Sequence, residues 1–315
     1  MAVRVSSRRA LRNQEVCMQS TEAAVSALKR VLAVHDAPAQ HWVGDGFPVR
    51  SLFSYNTFGA EISPFLLLDR AGPMEFSPTT ARRGVGQHPH RGFETVTIVY
   101  QGEVAHRDST GEGGVIGAGD VQWMTAAGGI LHEEYHSEAF ARSGGMFNMV
   151  QLWVNLPAAD KMKPPCYQAI TKENIPVANL SNSAGTVRVI AGAYESLQGP
   201  AHTFSPMQVW DVNVQAGAVV TLPAQQGWHT LLVILQGEVN VDGKTLRGDA
   251  QLAVLDTVGN GVKITAETDA QLLWLSGAPI QEPVVGYGPF VMNTREEIAQ
   301  AIDDFNSGHF GQIHR

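Results

Sequence analysis

Phe93-Glu94-Thr95-Val96-Thr97-Ile98-Val99-Tyr100-Gln101-Gly102-Glu103-Val104 recurs, similar in character at each position, as Trp228-His229-Thr230-Leu231-Leu232-Val233-Ile234-Leu235-Gln236-Gly237-Glu238-Val239. Each copy is a short β-type run closed by glycine punctuation. The match continues in order. Gly119-Asp120-Val121-Gln122 returns as Gly248-Asp249-Ala250-Gln251, and Gln151-Leu152 as Gln271-Leu272. The spacing between partners shrinks in steps, as expected when the second copy has shorter loops. Chance recurrence of Gln-Gly-Glu-Val does not account for so long an ordered match, so one unit is used twice. The chain therefore reads as all-β, with β domains over 46–160 and 186–280. A crossover over 161–185, containing Pro164-Pro165 and Ile175-Pro176, joins them.

The flanks read differently. Within an N-terminal arm over 1–45, Ser20 to Leu32 has the pattern of a short amphipathic helix. Ser20 or Thr21 caps it, Val25, Leu28, Val31 and Leu32 form its stripe, and Lys29 and Arg30 sit in its last turn. In the C-terminal segment over 281–315, Thr294 and Glu297 make a capping box. Ile298, Ala301, Ile302 and Phe305 form the apolar face of that closing helix. Arg4, Arg8, Arg9 and Arg12 precede any acid and lack an apolar neighbour run, so they are not a secretory signal. They read as a poorly ordered tail, or as residues ahead of a start at Met18, in preference to a transit peptide.

The 315 residues are 44% hydrophobic and 17% charged, which suits a globular protein with a sizeable core. The formal net charge of −8 disfavours direct nucleic-acid binding, which needs a basic face, but is compatible with a protein partner. Cys17 and Cys166 are too few and too far apart for a disulfide framework, so a reducing compartment, the cytoplasm, is expected. No apolar run is long enough to cross a bilayer, and no membrane association is expected.

Chemistry concentrates in His88-Pro89-His90 and His132-Glu133-Glu134. Each holds two good ligand residues at i, i+2, which a strand places on one face. If the two pairs meet, three imidazoles and one carboxylate surround a point, enough for a divalent transition metal with open positions. In the second copy, His88 and His90 fall on Pro223 and Gln225, and His132 and Glu134 on Gly261 and Lys263. The scaffold thus folds without them, and the second domain reads as a metal-free brace. Glu94 is the rival carboxylate, because it keeps the parity of His88 and His90, unless Gly92 forms a bulge that reverses it. Glu134 ranks above it. Glu133 is expected to point away, and His136 to sit at the rim.

At these residues the chain resembles the pirins of the cupin superfamily. His88 to Thr95 (His-Pro-His-Arg-Gly-Phe-Glu-Thr), Gly119 to Ala126 and Gly129-Ile130-Leu131-His132 carry the likeness, with Gln151 to Pro157 and Gly288 to Asn293. It runs from about Val49 to Gly311 and leaves out the arm. The resemblance implies a bicupin: two β-sandwich or jelly-roll barrel domains with a C-terminal helix. It implies one metal in the first domain on His88, His90, His132 and Glu134, and so also favours Glu134 over Glu94. Fe(II) is the implied cofactor, with Cu, Ni, Mn and Zn open to the same donors. The implied activity is opening of a flavonol ring, as in quercetin, with O2, Glu134 serving as ligand and proton acceptor. Phe53, Phe65, Met124 and Trp153 are candidates to line the aromatic's pocket, and Gln122 and Glu94 to hold the ligands from behind. A second implied reading is a redox-sensing cofactor whose iron state alters its binding to a transcription factor or metabolic enzyme. The polar, bulky Glu133 and Tyr135-His136 leave substrate choice open.

Overall fold

The computed structural model describes residues 27–313. Its strands follow the apolar runs, and two similar sandwiches result. In the first, strands β2 (His41–Val43), β3 (Phe47–Ser54), β4 (Phe65–Phe76), β6 (Phe93–Gln101), β9 (Val121–Thr125), β11 (Gly145–Asn155) and β12 (Cys166–Ile170) form one sheet. Its order is β12-β9-β6-β11-β4-β3-β2. The second sheet has order β5-β10-β7-β8, from β5 (Gly84–His90), β7 (Val104–Asp108), β8 (Gly113–Ile116) and β10 (Ile130–His136). Phe47, Val99, Val104, Ile116 and Phe147, drawn from both sheets, cluster between them.

The second sandwich repeats this. Its repeat strand His229–Gln236 lies between Gln251–Leu255 and Ala270–Gly277, as β6 lies between β9 and β11. The two large sheets pack face to face. Val96, Ile98, Trp123 and Leu152 on one side share a cluster with Val209, Leu231, Val233 and Leu273 on the other. This explains why β6 is nearly a continuous apolar and threonine run: it is buried on both faces.

The arm departs from expectation. Most of the helix foreseen over Ser20–Leu32 lies outside the described residues, but its last two residues are strand. β1 (Val31–His35) pairs antiparallel with Gln251–Leu255, on the edge of the second domain's large sheet. An open sheet edge supplies backbone partners that a short helix in water cannot match, and β-branched Val31 and Val34 suit it. Lys29 is not a solvated last-turn cation. It is buried, and its Nζ donates to the carbonyls of Trp228, Asp256 and Thr257. The crossover also contributes structure, β12 to the first large sheet and Val177–Asn179 to the second.

A short helix α1 (Glu138–Ser143) follows β10, and α2 (Arg295–Asn306) closes the chain. The Thr294–Glu297 capping box forms in full. α2 and its flanks pack against the first domain: Phe290, Met292, Ile298, Ala301 and Phe310 cluster with Leu131 of β10. No helix among the described residues is long and apolar enough to cross a membrane.

Candidate metal centre

β5 and β10 run antiparallel with His132 opposite His88 and Ile130 opposite His90. This register turns His88, His90 and His132 toward each other, inside the sandwich. Their ring centroids lie 4.2 Å (His88–His132), 4.8 Å (His90–His132) and 4.9 Å (His88–His90) apart. One ligand atom from each falls within 4.8 Å of the others. Glu134 comes next on the same face of β10, past a bulge against β5 between His132 and Glu134. It forms a second cluster of the same closeness with His132 and His106, so the two clusters share His132.

Glu134 is buried and held on both oxygens. Oε1 accepts from Gln122 Nε2 at 3.0 Å and Thr97 Oγ1 at 3.4 Å, and Oε2 from Gln151 Nε2 at 3.3 Å. His88 Nδ1 meets the Gly86 carbonyl at 2.8 Å. Burial, reinforced by His88, holds His90 well below the usual histidine range. Burial and the three neighbouring imidazoles do the same for His132. Both are therefore neutral at physiological pH and offer lone pairs. His90 Nδ1 and His132 Nε2 are buried with no hydrogen-bond partner. Two buried, orphaned imidazole nitrogens within a three-histidine cluster, with a fixed carboxylate in the cluster that shares His132, are the donor types of a divalent transition metal, so the residues fit such an ion.

Other expected residues fall elsewhere. At Gly92, φ 90°, the chain passes from β5 in the small sheet to β6 in the large one, so the parity of His88 and His90 does not carry over and Glu94 joins Val96 and Ile98 on the face turned to the other domain. There Glu94 Oε1 accepts from Thr125 Oγ1 at 2.7 Å. Glu94 belongs to neither cluster and holds none of the three histidines. Gln122 does hold a candidate ligand, but it is the carboxylate and not an imidazole. His136 is not at a rim: its Nε2 meets the Gly46 carbonyl at 2.9 Å, among Phe47, Phe76, Phe140 and Phe147. Glu133 points outward to Arg82 at 2.6 Å and Arg107 at 3.4 Å. Of the lining candidates, Trp153 lies against His90 with centroids 5.2 Å apart and stacks on Phe93. Phe53 and Phe65 are core between the domains, and Met124 packs with Ala126, Ile130 and Tyr167. A cavity of about 380 Å³ lies on the outer face of β7 and β10 with Arg82, Arg107 and Tyr135 in its wall, away from the three histidines.

Spacing alone pointed to neither His106, Asp108, Gln151 nor Tyr167. His106-Arg107-Asp108 has the same i, i+2 pattern, which is the signal that was available. The second sandwich shows the converse. Pro223 pairs with Gly261 just as His88 pairs with His132, so the repeat alignment holds in register. Leu232, in the place of Thr97, and a stacked Trp210–Trp274 pair fill that interior with apolar side chains.

Residues 46–154 match the model of the Pirin family, and 209–311 that of the Pirin C-terminal cupin domain. The chain belongs to the pirin family. Among its relatives, a Pseudomonas aeruginosa protein named "Putative quercetin 2,3-dioxygenase" is 59% identical over 91% of this chain and all of its own length. A Caulobacter vibrioides pirin-like protein is 41% identical, over 84% of this chain and 94% of its own. A crystal structure described as quercetin 2,3-dioxygenase from Acinetobacter baumannii superposes with a TM-score of 0.89 at 54% identity, over 91% of this chain and all of that one. A bacterial pirin from Escherichia coli in complex with nickel(II), 19% identical with a TM-score of 0.61, covers 79% of this chain and 99% of its own and shares the fold. The site above thus lies in the first of this pirin's two cupin domains.

Proposed function

We propose that this pirin binds one divalent ion, Fe(II) in the first instance, on His88, His90, His132 and Glu134, and opens a flavonol-type aromatic ring with O2 in the cytoplasm. The observation that carries the reading is the pair of orphaned, buried nitrogens on His90 and His132 beside a carboxylate locked by two glutamine amides. The names of its relatives support the substrate class. When bound, the ion would supply Lewis acidity and one-electron exchange. The protein supplies the rest. His90 and His132 are buried and His88 is half-buried, so the site opens on the His88 side. Trp153, half-buried beside His90 and backed by the buried Phe93 ring stacked on it, offers a flat apolar face to an aromatic ring. Glu134 Oε2 accepts one long bond, from the Gln151 amide at 3.3 Å, against two on Oε1, so it is the oxygen better placed to take a proton from a substrate hydroxyl.

The test is O2 uptake by anaerobically purified, Fe(II)-loaded protein given quercetin. The wild type consumes O2 and His90→Ala does not. Equal uptake by both would end the enzymatic reading.

A further inference from the structure

We infer that Asp108 and His106 are positioning residues that decide which ring nitrogen His132 presents to the ion. The inference rests on the assignment of His132 as a ligand. Asp108 is buried and its Oδ1 is committed, accepting from Thr110 N at 2.8 Å, Thr110 Oγ1 at 2.6 Å and Glu112 N at 3.2 Å. Its Oδ2 faces His106 Nε2 at 3.2 Å. A carboxylate oxygen only accepts, so His106 Nε2 carries the proton and Nδ1 the lone pair. Two groups converge on that lone pair, Gln122 Nε2 at 3.4 Å and His132 Nδ1 at 3.5 Å.

The Gln122 amide is itself oriented. Its Oε1 accepts from Tyr167 Oη at 3.3 Å and its Nε2 donates to Glu134, so it turns N–H toward His106. Tyr167 also stacks on the His106 ring, 4.9 Å away and 9° from parallel, which holds the imidazole in plane. With His106 Nδ1 an acceptor, His132 Nδ1 must donate, and its lone pair falls on Nε2. That nitrogen is the one buried without a partner. The opposite tautomers would set acceptor against acceptor at Asp108 and leave a buried N–H on His132 aimed at nothing. The chain Asp108–His106–His132 thus prepares a metal ligand through two strands, with β7 and β10 placing Asp108 opposite His132 and His106 opposite Glu134. A fixed partner on a ligating imidazole sets its tautomer and basicity.

Asp108→Asn tests this. It keeps an oxygen for Thr110 and Glu112 but turns an amide N–H toward His106 Nε2, which drives both imidazoles to the other tautomer. Nitrogen-resolved NMR of the metal-free full chain reads this directly. Wild type should show His106 protonated at Nε2 and His132 at Nδ1, and Asp108→Asn should reverse both. Co(II) titration should show affinity lower by ~10–100-fold in Asp108→Asn, with the metal-free thermal midpoint held. His106→Gln, whose amide can donate to Asp108 and accept from His132, should retain most of the affinity that His106→Leu loses. Wild-type His132 protonated at Nε2, or Co(II) bound equally tightly by Asp108→Asn, overturns the inference. A wild type that takes up no Co(II) would instead overturn the metal reading, while the tautomers still decide this one.

Discussion

Glu94 and Glu134 are both buried carboxylates, and their surroundings divide them. Glu134 accepts from two glutamine amides and a threonine hydroxyl. Glu94 Oε1 accepts from the Thr125 hydroxyl and the Trp123 indole adds weaker support, but burial outweighs both and pushes the carboxyl up to about 7 from its ordinary 4.5. The folded state therefore holds this proton more tightly than the unfolded chain. The group's contribution to stability is full below about pH 4.5 and is lost as pH rises through about 7. Glu94→Gln should flatten the fall in stability between pH 5 and pH 8 by up to ~3 kcal/mol, measured by urea unfolding. Its metal content should match wild type, because the side chain faces the other domain. An unchanged pH profile, or a loss of metal, would contradict this. At this scale the three histidines were legible because strand alternation is a local rule. Whether Glu94 shared their face hung on the chain changing sheets at Gly92, and the role of His106 on which strand lies beside β10.

The turn between sheets at Arg91-Gly92 is also where the last element meets the site. Arg91 bridges to Phe290, and Arg91 N donates to the Pro289 carbonyl at 3.2 Å. Lys161 is buried and its Nζ donates to the carbonyls of Gly92 and Val291 and to Asn155 Oδ1. Arg91 reaches on to Asp304 of α2 at 2.8 Å. The C-terminal segment therefore clamps the strand end that carries His90. A Cβ on Gly92 would lie 2.0 Å from the Val291 carbonyl oxygen, whereas one on Gly111 would meet nothing within 4 Å. Their φ angles are 90° and 89°, so backbone strain is matched. Gly111→Ala should cost only that strain, ~1–3 kcal/mol, and Gly92→Ala should cost at least ~2 kcal/mol more and weaken metal binding with it. Equal losses by thermal unfolding would show that the clamp does not press on Gly92. The capping box and apolar stripe of α2 could be read from sequence, since both are spacing rules within one helix. Its docking on the first domain, not on the second that precedes it, could not.

The two sandwiches share one core, since Phe65, Val96 and Leu152 meet Leu231, Val233 and Leu275 in a single cluster. The arm and the crossover add strands to both large sheets, tying the halves further. Unfolding should therefore be one transition. The stacked Trp210–Trp274 pair reports on the metal-free sandwich, and its near-UV circular dichroism should melt together with the site. Metal at about 100 times its Kd should move both signals up by the equivalent of ~2.7 kcal/mol, although the four proposed ligands all belong to the other sandwich. A tryptophan transition that ignores the metal would mean two independent domains. Replacing Val233, fully buried on the shared face, with Ala should lower both midpoints, by ~1–3 kcal/mol.

Sequence alone determined the β class, the duplication, and three histidines and a glutamate set at strand spacing in one copy only. Those are properties of period and repetition, and they survive any arrangement of the strands. Tertiary structure decided that residues 31–35 are an edge strand and not a helix end, that Glu94 turns from the site, and that His106 and Asp108 stand behind His132. Each depends on a pairing between segments distant in the chain, where an open sheet edge or a change of sheet at one glycine outweighs local preference.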